Sequence, residues 1–148
     1  MQFSLNFSTL LFTLIGVTAA APQHKANSYV VSDEEMDHWL ATTDAKLTYA
    51  GSSGPVNPLL PRAAQNTRVV YCSSRVANVC GGACTVYDGG AACLNAPDTQ
   101  CLSATQNVGF CDRGGCGGSC NQLSTCGTRL DGGFCWTPGT ASIVVGPN

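Results

Sequence analysis

The chain has 148 residues and a formal net charge of −2, and only 11% of its residues are charged. That length suits one ordinary domain rather than two, and the charge balance leaves no basic surface for nucleic acid or an anionic membrane. Ten cysteines dominate the composition, and all of them lie between Cys72 and Cys135.

In chain order, the first element is a secretory signal over 1–20. Leu10-Leu11-Phe12-Thr13-Leu14-Ile15 forms its apolar core, and Thr18-Ala19-Ala20-Ala21 supplies small residues, with cleavage expected after Ala20. The start Met1-Gln2-Phe3 carries no Lys or Arg, so the α-amino group is the only positive charge there. The apolar run is short of the roughly 20 residues that span a bilayer, which argues against a membrane anchor.

Residues 21–62 contain no cysteine and read as a pro-segment. Ser32-Asp33-Glu34-Glu35 has capping-box spacing, in which the Ser hydroxyl and the Glu carboxylate each satisfy a free backbone donor. Met36, Leu40 and Leu47, with Trp39 beside them, follow at roughly helical spacing and predict a short amphipathic helix over about 32–47. Gly51-Ser52-Ser53-Gly54-Pro55 then breaks the pattern, and Pro58-Leu59-Leu60-Pro61-Arg62 follows. Leu59-x-x-Arg62 resembles the sites at which fungal Kex2-type proteases cut secreted precursors, so Arg62 is the expected processing residue. The alternative is an ordinary linker arginine and a helix that stays attached. The whole net charge belongs to this leader, and its acidic helix is expected to help folding or targeting by shielding an apolar patch of the domain.

Residues 63–148 carry all ten cysteines: Cys72, Cys80, Cys84, Cys93, Cys101, Cys111, Cys116, Cys120, Cys126 and Cys135. More than one residue in ten is then cysteine, the composition of a disulfide scaffold. So small a domain buries too little apolar surface to hold together by packing alone. An even count in an exported chain implies five disulfides, although order alone leaves about 945 pairings open. A zinc or redox site is the competing reading of Cys-x3-Cys, and export disfavours it.

An internal echo suggests a diverged duplication over 72–101 and 111–135. Cys80-Gly81-Gly82-Ala83-Cys84 matches Cys116-Gly117-Gly118-Ser119-Cys120, and Asp88-Gly89-Gly90-Ala91-Ala92-Cys93 matches Asp131-Gly132-Gly133-Phe134-Cys135. Thr85-Val86-Tyr87 before Asp88-Gly89, and Thr128-Arg129-Leu130 before Asp131-Gly132, predict two hairpins with tight turns. Val69-Val70-Tyr71 and Ser142-Ile143-Val144-Val145 are further strands, placed to pair with each other. The fold expected is a small, β-rich domain of short hairpins stapled by five disulfides.

Catalytic chemistry is poorly supplied. Both histidines, both lysines and both glutamates precede residue 63, which leaves the cysteine domain no ordinary neutral-pH base, Schiff-base lysine or imidazole ligand. Asp88 and Asp131 are a formal carboxylate pair of the glycosidase kind, but their place before glycine favours turn formation. No catalytic residue, metal or cofactor is expected. Tyr87, Phe134 and Trp136 offer rings for a binding surface, and alternation puts Phe134 and Trp136 on one face opposite Cys135. The alternative is that these rings are the core. No Asn-x-Ser/Thr sequon follows residue 62 to mask them with an N-glycan.

The layout of Leu10–Ala21, Leu59-Leu60-Pro61-Arg62 and a ten-cysteine tail resembles the small secreted cysteine-rich proteins of fungi, including effectors made as Kex2-processed precursors. No Cys-Cys pair is present, unlike hydrophobins and hevein-type chitin binders, and no Cys-x-Cys, unlike defensin-like scaffolds. The resemblance implies a protease-resistant extracellular protein that binds a host protein or a cell-wall glycan. It implies no nucleic-acid partner and no membrane insertion after signal removal. A cell-wall polysaccharide-binding module is the alternative, and a small Asp-dependent hydrolase a more distant one.

Overall fold

The computed structural model describes residues 29–51 and 66–146. The secretory signal, Arg62 and most of the glycine-proline linker lie outside these residues. Helix α1 (Asp33–Thr42) is followed by strands β1 (Lys46–Ala50), β2 (Thr67–Val76), β3 (Val79–Gly89), β4 (Ala92–Ala104), β5 (Gly109–Arg113), β6 (Gly117–Gln122) and β7 (Cys135–Val145). The strands form one sheet in the order β1-β3-β2-β4-β7-β5-β6, and only the β1–β3 pair is parallel. The β-rich, five-disulfide fold is the one the cysteine pattern predicts.

The sheet doubles over along β4 and β7. Ala92–Asn95 pair with Ser142–Val145, whereas Cys101 and Leu102 pair with Trp136 and Cys135 and, on their other side, with Cys72 and Tyr71. Between these stretches the ladder is irregular, where β4 carries Pro97 and Asp98 (φ 58°) and β7 carries Pro138 and Gly139 (φ 77°). Each proline removes a ladder donor, so both strands bend together. The bend brings Val69 and Tyr87 of one limb into a single buried cluster with Leu94, Ile143 and Val145 of the other.

Alternation then builds a second cluster on the outer face of the first limb. Val70, Cys72, Cys84, Val86 and Cys101 point there, joined by Leu130 and Phe134, and α1 covers them with Met36. The arrangement is helix, sheet limb, core, sheet limb.

The capping box forms as predicted: Ser32 N–H donates to Glu35 Oε2 at 2.8 Å, and Glu35 N–H to Ser32 Oγ at 3.1 Å. The helix stops earlier than expected. Thr42 Oγ1 donates back to the His38 carbonyl at 2.8 Å and Thr43 is extended, as β-branched residues with competing hydroxyls favour. Leu47 therefore lies in β1, not on α1.

Two further expectations are corrected. Asp88-Gly89 are the last residues of β3, which shifts the bend to Gly90-Ala91; β3 and β4 are separated by β2 and form no hairpin. Cross-strand pairing along β2 outweighs the local turn preference. Asp131–Gly133 do reverse the chain, but as a 3₁₀ turn, closed by Leu130 N–H to the Phe134 carbonyl at 2.8 Å. Nor do β2 and the end of β7 pair with each other, because β4 lies between them.

The bridges are Cys72–Cys84, Cys80–Cys101, Cys93–Cys116, Cys111–Cys120 and Cys126–Cys135. The echo has a structural counterpart. Cys72–Cys84 and Cys111–Cys120 each join directly opposed residues of an antiparallel pair, with Cα–Cα of 4.0 Å in both. Cys80 and Cys116 then both tie back to β4, at Cys101 and Cys93. The matched residues Cys93 and Cys135 depart from the echo by taking unrelated partners.

Burial raises the phenol pKa of Tyr71 above the ordinary value, and a hydrogen bond with Thr85 opposes part of that shift. The unfolded chain therefore ionises first, and the stability this tyrosine contributes holds below about pH 10 and is lost as pH rises through its folded value. The thermal unfolding temperature is expected to fall above about pH 10, and less steeply in Tyr71→Phe; equal slopes in the two proteins would refute the assignment.

Candidate binding surface

The β2–β3 hairpin turns at Ala77 (φ 52°) and Asn78 between the paired residues Val76 and Val79. Turn rims ordinarily carry polar side chains, yet Val76 and Val79 are 72% and 58% exposed. Arg75 precedes them. Its Nε donates to the Ala77 carbonyl at 2.8 Å, and its guanidinium lies 4.6 Å from the centroid of the Trp136 ring. Trp136 is itself 40% exposed.

Covalent bonds fix this surface. Cys80 follows Val79 and is bridged to Cys101, the β4 residue paired with Trp136. Cys135 precedes Trp136 and is bridged to Cys126. Asp131 N–H donates to the Asn78 carbonyl at 2.8 Å, which holds the hairpin tip against the turn before β7. The result is a pre-set pairing of an aromatic ring with a cation over it, next to a hairpin tip that carries two exposed valines. Such a platform loses little side-chain freedom on binding, and Trp and Arg are the residue types that most often anchor interfaces.

Of the three rings expected to form a surface, only Trp136 does. Phe134 and Trp136 lie on the same face, as alternation requires, but α1 covers the first: Phe134 is 1% exposed and its ring centroid is 4.7 Å from that of Trp39. Tyr87 belongs to the opposite cluster, and its hydroxyl donates to the Gly90 carbonyl at 2.7 Å. The core reading is thus right for two of the three. Sequence reasoning missed Arg75, Val76 and Val79. The available signal was a pair of valines flanking Ala77-Asn78, where a solvated turn would carry polar residues.

Asp88 and Asp131 have different settings. The Asp88 carboxylate lies 3.8 Å from Arg68 Nε within β3, whereas Asp131 is exposed at the head of a 3₁₀ turn. All ten cysteines are consumed in bridges, so the competing thiolate-metal reading has no donors. Five disulfides fit an oxidising, extracellular setting, and among the described residues no helix is long and apolar enough to cross a membrane. No family model matches the chain, and no curated protein or solved structure matches it either.

Proposed function

We propose that this is a secreted, non-enzymatic, effector-like protein that acts outside the producing cell by binding a host or cell-surface target. The observation that carries the reading is the Arg75–Trp136 pair, its indole exposed, next to the exposed valines of the β2–β3 hairpin tip and flanked by two disulfides. A rigid amphipathic surface of this kind suits recognition rather than turnover. The pro-segment reading of 21–62, with cutting at Arg62, belongs to the same proposal and rests on the precursor layout.

A second reading, a cell-wall polysaccharide-binding module, is favoured by one feature: Trp136 is an exposed indole on a disulfide-braced strand, the side-chain type that stacks on sugars. The two readings separate in one experiment. The oxidised protein and its Trp136→Ala variant are tested for retention on chitin, on β-glucan and on deglycosylated surface proteins of candidate host cells. Trp136 is exposed, so its replacement is expected to change stability by about 1 kcal/mol or less while reducing retention about tenfold or more. Trp136-dependent retention on the proteins supports the first reading, and on the polysaccharides the second. Retention that ignores Trp136 and Arg75→Ala alike would refute both.

A further inference from the structure

Residues 29–50 are built into the sheet rather than appended to it. Strand β1 pairs in parallel with Ala83–Tyr87 of β3, and Val31 N–H donates to the Ala104 carbonyl at 3.0 Å. Met36 is 2% exposed within the outer cluster, and Trp39 packs on Phe134. The receiving surface is shaped for these side chains. Gly132 and Gly133 hold φ of 70° and 77°. A Cβ on Gly133 would fall 2.1 Å from Val31 Cγ1, and one on Gly132 3.0 Å from Trp39 Cδ1. Arg68 adds a charge contact, 2.7 Å from Asp37 and 3.7 Å from Asp33.

The covalent tie to this segment runs through residues 52–65. β1 and β2 flank β3 on opposite sides, and Ala50 and Thr67 both lie at the same end of it, opposite Tyr87 and Gly89. Two strand spacings separate them by roughly 10 Å, whereas residues 52–65 can reach roughly 45 Å. The tether holds the segment nearby without positioning it. Position comes from the contacts.

We propose that the face covered by α1 and β1 is a peptide-docking site on the 66–146 body, whose resident occupant is the chain's own acidic segment 29–50. Cutting within 52–65, the stretch that contains Arg62, makes that occupant an exchangeable ligand. The cut leaves the contacts of 29–50 in place and removes the effective concentration that covalent linkage supplies, about millimolar for a short linker. The ligand chemistry is read from the occupant: Val31 just before an acidic helix that carries Met36 and Trp39, followed by a strand that adds to the open edge of β3. With the segment gone, that edge and the apolar surface of Val70, Val86, Leu130 and Phe134 are uncovered. Such surfaces recruit other chains. This face is distinct from the Trp136 platform; the inference rests on the proposed function only for natural cutting at Arg62, and a cut made at an introduced site tests the docking face by itself.

The test uses the full oxidised chain with a specific protease site placed within 52–65. Cut and uncut protein are each mixed with a fluorescent peptide spanning residues 29–51, and binding is read by anisotropy while size exclusion follows the native segment. Uptake is expected with cut protein only, accompanied by release of the native segment and an unchanged near-ultraviolet circular dichroism spectrum. A Trp39→Ala peptide should bind about tenfold more weakly or worse. An Asp37→Asn peptide should bind about two- to fivefold more weakly, with the difference shrinking at high salt. Three results would overturn the proposal: a cut chain that gives up the segment only on unfolding, a released segment that the labelled peptide cannot replace, or equal uptake of the Trp39→Ala peptide.

Discussion

Replacing Cys80 and Cys101 together by alanine is expected to lower the unfolding free energy by about 3 kcal/mol, the largest effect of any single bridge within the outer cluster. The bridge closes a separation of 21 residues, for which restriction of the unfolded chain is worth about 3 kcal/mol. Both cysteines are also buried, at 3% and 0% exposure, so the change thins a packed cluster as well as freeing a loop. Cys101 lies between Cys72 of β2 and Trp136 of β7, which makes its bridge the anchor of the central strand. Removing Cys111 and Cys120 in the same way should cost less, about 2.5 kcal/mol, because that separation is 9 residues and it secures the exposed edge strand β6. Urea midpoints of the two double variants test the ranking. If the edge pair proves the costlier, the outer cluster is not the mechanical centre of the fold.

Phe134→Ala is expected to cost about 3–5 kcal/mol, the range for emptying a buried aromatic site. Its ring is the largest of the fully buried side chains and supports Trp39 from beneath. The loss should therefore appear in two places. The melting transition falls on the order of 15 °C, and amides of α1 lose hydrogen-exchange protection disproportionately. Phe134→Leu should keep most of the volume and cost about half as much. If α1 keeps its protection in Phe134→Ala, its attachment rests on Met36 and the Arg68 contacts instead.

Local rules wrote the parts of this structure that the sequence shows plainly. The capping box at Ser32 and Glu35, the strands around Val69–Tyr71 and Ser142–Val145, and the presence of five bridges each follow from a few neighbouring residues. Pairing did not follow, because partners are chosen by contacts far apart in the chain. Asp88-Gly89 is a strong turn signal, yet it was absorbed into β3 once β2 offered a full-length partner. Leu47 continued a helical spacing, but Thr42 and Thr43 ended the helix before that spacing could act. At the candidate surface, composition drew attention to aromatic rings and so found Trp136. Burial separated it from Tyr87 and Phe134, and burial is set by where α1 lies.

The doubled-over pairing of β4 with β7 has a consequence for how the chain matures. During synthesis the chain emerges from its N-terminus, so β2, β3 and the Cys72–Cys84 bridge have all their residues early. Residues 92–95 must wait for 142–145, the last strand to arrive. Such late, distant pairing slows folding and leaves intermediates exposed. In that interval Cys93 and Cys101 have no β7 backbone beside them, and both can meet the wrong thiol. The arrival of β7 therefore completes the ladder that encloses Cys93 and Cys101.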